Sequence, residues 1–301
     1  VQMTDADISN HMALSATSRK NQYSVMLCCE FLNLRMALFH GDYDQFRQKS
    51  HEQRELLHEK RQYELLNTLD ICLGFLYALL GSPEYAPKWF AEGKLSEALV
   101  LFPATPMLHT FYNQLLLAQG KWTAVIARRE ECKKLNSIYT YTLCEIWLHI
   151  QLAAALEKLS RRKEALEELR LALQLALPDG IIMPFAESET YIFDLLQELQ
   201  CTGVYPEEIS RILPLAEQFR ISRENIHREY LGENKTYGLS ERELEIARLA
   251  AQRKTNLEIA EELHLAEGTV RNQLSRIFDK LGLPGDGKNK RILLEDLLKI
   301  K

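Results

Sequence analysis

Helix-breaking turns fall at almost even intervals along the first two thirds of this chain, and that spacing constrains the fold more than any single motif. Gly41-Asp42, Gly81-Ser82, Gly120-Lys121 and Ser160-Arg161 lie 40, 39 and 40 residues apart, and a weaker turn, Thr202-Gly203, follows 42 residues on. Each turn separates a long apolar helix from an amphipathic one. In LHIQLAAALEKLSRRKEALEELRLALQLA, Ala154, Ala155 and Leu159 precede the turn, and Ala165, Leu166, Leu169 and Leu173 follow it at helical spacing. A helical hairpin cannot bury its apolar faces alone. Neighbouring hairpins must therefore share a continuous core and wind into a superhelix with a concave inner surface. No strand-like alternation competes, so the expected class is all-α.

A chain of 301 residues with 46% apolar and 26% charged residues has room for two globular domains. No apolar run approaches the roughly 20 residues of a membrane span, and no signal segment opens the sequence, which predicts a cytoplasmic protein. Cys28, Cys29, Cys72, Cys132, Cys144 and Cys201 have no paired or metal-ligand spacing and are expected to be reduced core thiols. The net charge of −5 is unevenly placed. Residues 235–301 hold 13 Lys/Arg against 11 Asp/Glu, a balance of +2, and the rest of the chain carries −7; residues 268–301 alone hold 8 against 4. Positive charge is thus concentrated where a phosphate footprint would have to be.

That basic end contains a second pattern. In LSERELEIARLAAQRKTNLEIAEELHLAEGTVRNQLSRIFDKLGL, Ser240 and Glu243 form a capping-box signature that starts a helix burying Leu244, Ile246, Ala247 and Leu249. A short helix, Asn256 to Leu263, follows with apolar residues at Leu257, Ile259, Ala260 and Leu263. A third is expected over Glu267 to Leu281. Its Val270, Leu274, Ile277 and Leu281 fall at i, i+4, i+7 and i+11 and must face inward, leaving Arg271, Asn272, Ser275 and Arg276 outward. Arg and Asn are the side chains that read guanine and adenine bidentately in the major groove.

The order of LSERELE, NLEIAEEL, GTVRNQLSRIFDKLGL and the element opened by Asn289 to Arg291 resembles the LuxR-type helix-turn-helix domain of the NarL and FixJ group almost end to end. The resemblance implies DNA contacts from Lys254, Thr255, Asn256, Glu267, Thr269, Arg271, Asn272, Ser275, Arg276, Lys288 and Lys290. Of these, Arg271 and Asn272 are expected to read bases, and Thr255, Arg276, Lys288 and Lys290 to hold phosphates. It also implies double-stranded promoter DNA and RNA polymerase as partners, and a dimer through a fourth helix, about Lys290 to Ile300, with Ile292, Leu293, Leu297 and Ile300 on its apolar face. The sequence departs from the family pattern twice: Arg253 stands where a small residue, usually Gly, is expected, and Ala266 where a capping Ser is usual. The hairpin spacing is similar to tetratricopeptide repeats with a longer period. Together with the run LQLALPDGIIMPFAESETYIFDLLQEL it resembles the C-terminal half of the MalT-like regulators, in which an ATPase module precedes a superhelix that receives an inducer. That module is absent from this chain, and a start on Val1 close to helical sequence favours a piece of a larger regulator.

Enzymatic signatures are missing. GLPGDGKN, from Gly282 to Asn289, matches the first positions of a phosphate-binding loop, but lacks the Ser/Thr that holds magnesium and follows a helix instead of a strand. The bland reading is a loop that brings Lys288, Lys290 and Arg291 near phosphates. His51 and His58 lack a third ligand, and no Ser/His/Asp set, HExxH or Gly-x-Ser-x-Gly is present, so neither cofactor, metal nor catalytic site is expected. Trp89, Trp122, Trp147, Tyr112, Tyr139 and Tyr141 are mainly packing residues by position, and no effector site can be named. The expected organisation is a helical-repeat sensor over residues 1–225, a linker over 226–237, where apolar periodicity is lost, and a four-helix DNA-binding domain over 238–301. The function implied is a transcriptional activator whose superhelix receives a small inducer or a protein. The alternative is a protein-interaction scaffold whose terminal helices do not bind DNA.

Overall fold

The computed structural model describes residues 22–100, 102–139, 141–231, 237–283 and 287–298. The fold is all-α, with no strand among the described residues, and the chain divides into two compact units, Val1–Glu224 and Asn225–Lys301.

In the first unit the helices are α1 (Tyr23–His40), α2 (Tyr43–Glu59), α3 (Tyr63–Leu79), α4 (Lys88–Ala91), α5 (Thr105–Ala118), α6 (Trp122–Ala127), α7 (Arg129–Tyr139), α8 (Thr142–Lys158), α9 (Arg162–Ala176), α10 (Met183–Glu187), α11 (Glu189–Cys201) and α12 (Pro206–Ile226). All five expected turns use one device. Gly41, Gly81, Gly120, Ser160 and Gly203 are left-handed. In each turn this residue's N–H donates three residues back, and the next N–H donates five back, as in Gly41 to Leu38 O (3.1 Å) and Asp42 to Ala37 O (2.8 Å). These bonds satisfy the last carbonyls of the helix and reverse the chain. Ser160 makes the same turn at φ 60° with a Cβ, at a cost of about 1 kcal/mol relative to glycine.

The first helix of each hairpin packs on the next, α1 on α3, α3 on α5, α5 on α8 and α8 on α11. The central helix α8 is also flanked by α6, α7, α9 and α10, and every residue from Ile146 to Leu156 is buried. The row curves tightly. Phe75 and Phe111 stack at 4.1 Å, Trp147 meets Phe75 edge-on at 5.3 Å, and Phe31 of α1 reaches Phe111, two hairpins away, at 5.4 Å. These rings pack between the first helices of successive hairpins. The row also returns on itself: Arg35 pairs with Glu187 at 2.5 Å, Phe39 stacks on Phe219 at 6.2 Å, and the Ser222 hydroxyl donates to Phe39 O at 2.8 Å.

Two expectations are corrected, and the linker gains a conformation. No long amphipathic helix follows Gly81-Ser82. The described residues of 83–104 form only α4 and isolated 3-10 turns, because Pro83, Pro87 and Pro103 lack the helical N–H and Gly93 is left-handed. The expected linker begins in helical conformation: α12 runs to Ile226 and a π-helical turn, His227–Leu231, follows with Tyr230 and Leu231 buried. Cys28 and Cys201 lie at the surface, and only Cys29, Cys72, Cys132 and Cys144 are core thiols.

Gly74 of α3 faces Phe90, whose ring would lie 2.5 Å from an added Cβ. Gly74→Ala gains about 1 kcal/mol of helix propensity but overpacks a fully buried ring at about 1–3 kcal/mol, so a net destabilisation on the order of 1 kcal/mol is expected in urea melts.

Candidate nucleic-acid interface

In the second unit α13 (Glu241–Ala251), α14 (Asn256–Glu262), α15 (Glu267–Lys280) and α16 (Gly287–Leu298) enclose a core of Leu244, Ile246, Ala247, Ala250, Ile259, Val270, Leu274, Ile277 and Leu294. Two capping boxes start the first two of these helices. Ser240 and Glu243 exchange side-chain-to-backbone bonds at α13, and Thr255 and Glu258 do the same at α14. No side-chain oxygen caps α15, because Ala266 occupies that position.

The rotation of α15 is fixed by what it buries. Val270, Leu274, Ile277 and Phe278 point into the core, and Leu281 follows them. Glu267, Thr269, Arg271, Asn272, Ser275 and Arg276 are all exposed on the remaining surface. These six form one outward face, as helical spacing requires. Gly268 lies within it. A Cβ added there would meet nothing within 4 Å, so no internal packing calls for glycine.

The turn between α13 and α14 carries the other candidates. Arg253 is left-handed at φ 64°, which is why glycine is usual there; its guanidinium bonds to Glu295 at 3.0 Å. Lys254 pairs with Glu262. Thr255 is spent largely on its cap, since its hydroxyl donates to Glu258 at 2.9 Å while accepting from the Glu258 N–H. Asn256 accepts from Arg291 at 2.6 Å, and Arg291 also donates to Lys254 O at 2.6 Å. Arg291, expected near phosphate, is thus a half-buried clamp turned inward to tie α16 to this turn. Lys290 lies over the Phe278 ring at 5.8 Å. The side chain of Lys288 and residues 284–286 of the GxxxxGK stretch lie outside the described residues.

Two apolar assignments change. Leu257 is 55% exposed because it sits about 200° around α14 from Ile259. In α16 Leu294 is fully buried and Leu297, expected on the apolar pairing face, packs on the same core with Leu298, while Ile292, expected on that face, is exposed; Ile300 lies outside the described residues. The second capping box was readable, since Thr255 and Glu258 repeat the spacing of Ser240 and Glu243. The Arg291 clamp carries no local signal.

The GerE family, bacterial regulatory proteins of the luxR family, matches residues 238–288. This segment is a LuxR-type helix-turn-helix domain. The spore germination protein GerE of Bacillus subtilis (strain 168) is 49% identical over 47 residues, which are 16% of this chain and 64% of that protein, so the alignment spans less than two thirds of the relative's length. No solved structure matches the chain. The match ends within α16, and the rest of the chain stands on its own geometry.

Among the described residues outside the LuxR-type domain no comparable site appears. Trp147 is buried, Trp89 donates to Asp70 at 2.9 Å, and Trp122 meets Tyr191 edge-on, so all three serve packing. Tyr112 lies beneath the Arg128 guanidinium, Tyr141 is partly exposed, and the Tyr139 side chain lies outside the described residues. Among the described residues no three His, Cys, Asp or Glu side chains could hold a metal ion, and no helix is long and apolar enough to cross a membrane.

Lys280, then the Ser240 N–H, hold the Glu243 carboxyl below the ordinary carboxylate range. A depressed folded-state pKa stabilises the domain above the unfolded-chain value and loses that contribution as pH falls through the lower folded value. Glu243→Gln keeps the capping geometry and removes the charge. Thermal melts should show it less stable near neutrality by under about 1 kcal/mol, with the difference vanishing in acid.

Proposed function

We propose that this chain is a sequence-specific DNA-binding transcriptional regulator that acts in the cytoplasm on promoter DNA. The observation that carries the reading is the exposed face of α15, where Arg271 and Asn272 leave the opening turns of a helix whose opposite side is anchored in the core. Such a helix enters a major groove with its first turns against base edges. Arg271 and Asn272 read bases, with Glu267, Thr269 and Ser275 beside them. Lys254, Thr255, Arg276, Lys288 and Lys290 serve phosphates, and Asn256 supports the turn through Arg291. Role and partners follow from the family resemblance: activation through contact with RNA polymerase, and pairing of two copies through the last helix. The helical-repeat unit, tetratricopeptide-like and MalT-like in its spacing, receives an effector or a protein partner. Its acidic balance of −7 over residues 1–234 suits a task other than holding DNA.

A duplex enriched from a random-sequence library by the full chain supplies the specific probe, and its scrambled version the control. In fluorescence anisotropy across a salt series, Arg271→Ala should lose about 1–3 kcal/mol on the enriched duplex and relax preference at one or two positions. Lys254→Ala should weaken both duplexes alike and lower the salt slope by about one unit. An Arg271→Ala loss equal on both would make Arg271 a phosphate contact and rotate the proposed face.

Gly268 tests how closely the helix approaches. Gly268→Ala should raise thermal stability by about 0.5–1 kcal/mol, because nothing in the fold needs the glycine, and should still weaken binding to the enriched duplex. Unchanged affinity would remove the backbone from the contact.

A further inference from the structure

Two cations on the proposed DNA face are already paired with carboxylates of the same domain. Arg271 donates to Glu267 at 2.8 Å across one helical turn, and Lys254 pairs with Glu262. The two pairs differ in where the acid stands. Glu262 ends α14, whereas Glu267 opens α15, on the surface that also carries Arg271 and the bare backbone of Gly268.

We propose that Glu267 is a specificity-determining residue, which keeps Arg271 on base edges and off phosphates; this rests on the DNA-binding reading above. The argument is electrostatic. An arginine free on a recognition surface gains from any phosphate, and such contacts carry no sequence information. With Glu267 bound to one Nη, a phosphate reaching Arg271 must approach a carboxylate, so the sequence-blind contact is opposed by like charge. A guanine edge is neutral and offers O6 and N7, and Arg271 can give it a second N–H edge while one Nη stays on Glu267. Glu267 therefore costs affinity for arbitrary DNA more than for the cognate site. Its position in the first turn also suits the helix dipole, and that structural role alone would leave discrimination untouched.

Glu267→Gln preserves shape and an acceptor for Arg271 while removing the charge, and Glu262→Gln does the same for the Lys254 pair. Both are measured with wild type on the enriched and scrambled duplexes across a salt series, with melting curves as a check on folding. For Glu267→Gln, binding to the scrambled duplex should strengthen several-fold and its salt slope steepen by about 0.9, with little change on the enriched one, so that the ratio of affinities falls. Glu262→Gln should strengthen both and leave the ratio unchanged. Glu267→Ala should follow Glu267→Gln. A ratio unchanged in Glu267→Gln, or an equal loss on both duplexes, would sink the inference while leaving DNA binding intact. Failure of wild type to enrich any sequence would overturn the DNA-binding reading and this inference together.

Discussion

Burial of Val270, Leu274 and Ile277 against α13 and α14 fixes the rotation of α15, and the functional surface depends on that one packing contact. A helix has no other means of choosing which side chains it presents. Rolled by one residue, about 100°, it would bring Arg271 towards the core, where an unpaired guanidinium is costly, and expose Val270. The apolar row thus acts twice, as cohesion for the domain and as the reference that places Arg271 and Asn272 outward. The surface is positioned from behind, by residues that do not belong to it.

The turn before α14 needs a different support because it is strained and lies at the surface. Arg253 holds a left-handed conformation that costs about 1 kcal/mol without glycine, and the next three residues supply candidate contacts. Arg291 compensates from α16. Its bonds to Lys254 O and Asn256 fix backbone and side chain of the turn at once, and its charge becomes structural rather than available to phosphate. The capping box of Thr255 and Glu258 holds the start of α14 from the other side. One consequence is that a count of basic residues overstates the electrostatic footprint: Arg253, Lys254, Arg271 and Arg291 all have intramolecular partners.

Features encoded within one helical turn were legible in the sequence. The five left-handed turns show as Gly or Ser, followed by a polar residue in four of them, because the hydrogen bonds that make them span six residues at most. The inward row of α15 shows because helical period alone determines it. Legibility fails where the partner is remote. Residues 83–104 looked like another hairpin because the spacing of turns was followed past three prolines, a local signal that periodicity outweighed. The inward turn of Arg291 depends on which helix lies opposite, and no pattern in α16 records it; Leu257, by contrast, lies opposite Ile259 by helical period, a local signal passed over.

Closure of the helical unit is the extreme case. Ser222 reaches the carbonyl of Phe39 from 183 residues away, and Phe219 stacks on the same residue. Equally spaced turns specify that hairpins stack; curvature depends on the angle between neighbours, which the side chains wedged between them determine. Phe31, Phe75, Phe111 and Trp147 are those wedges here, and their rings meet across three hairpin junctions. Rings between the first helices draw them together, α12 comes back towards α1, and Ser222 and Phe219 then find partners that a straighter stack would leave in water. The row closes where α1 meets α10 and α12, through the Arg35–Glu187 ion pair, the Phe39–Phe219 stack and the Ser222 hydrogen bond to Phe39 O.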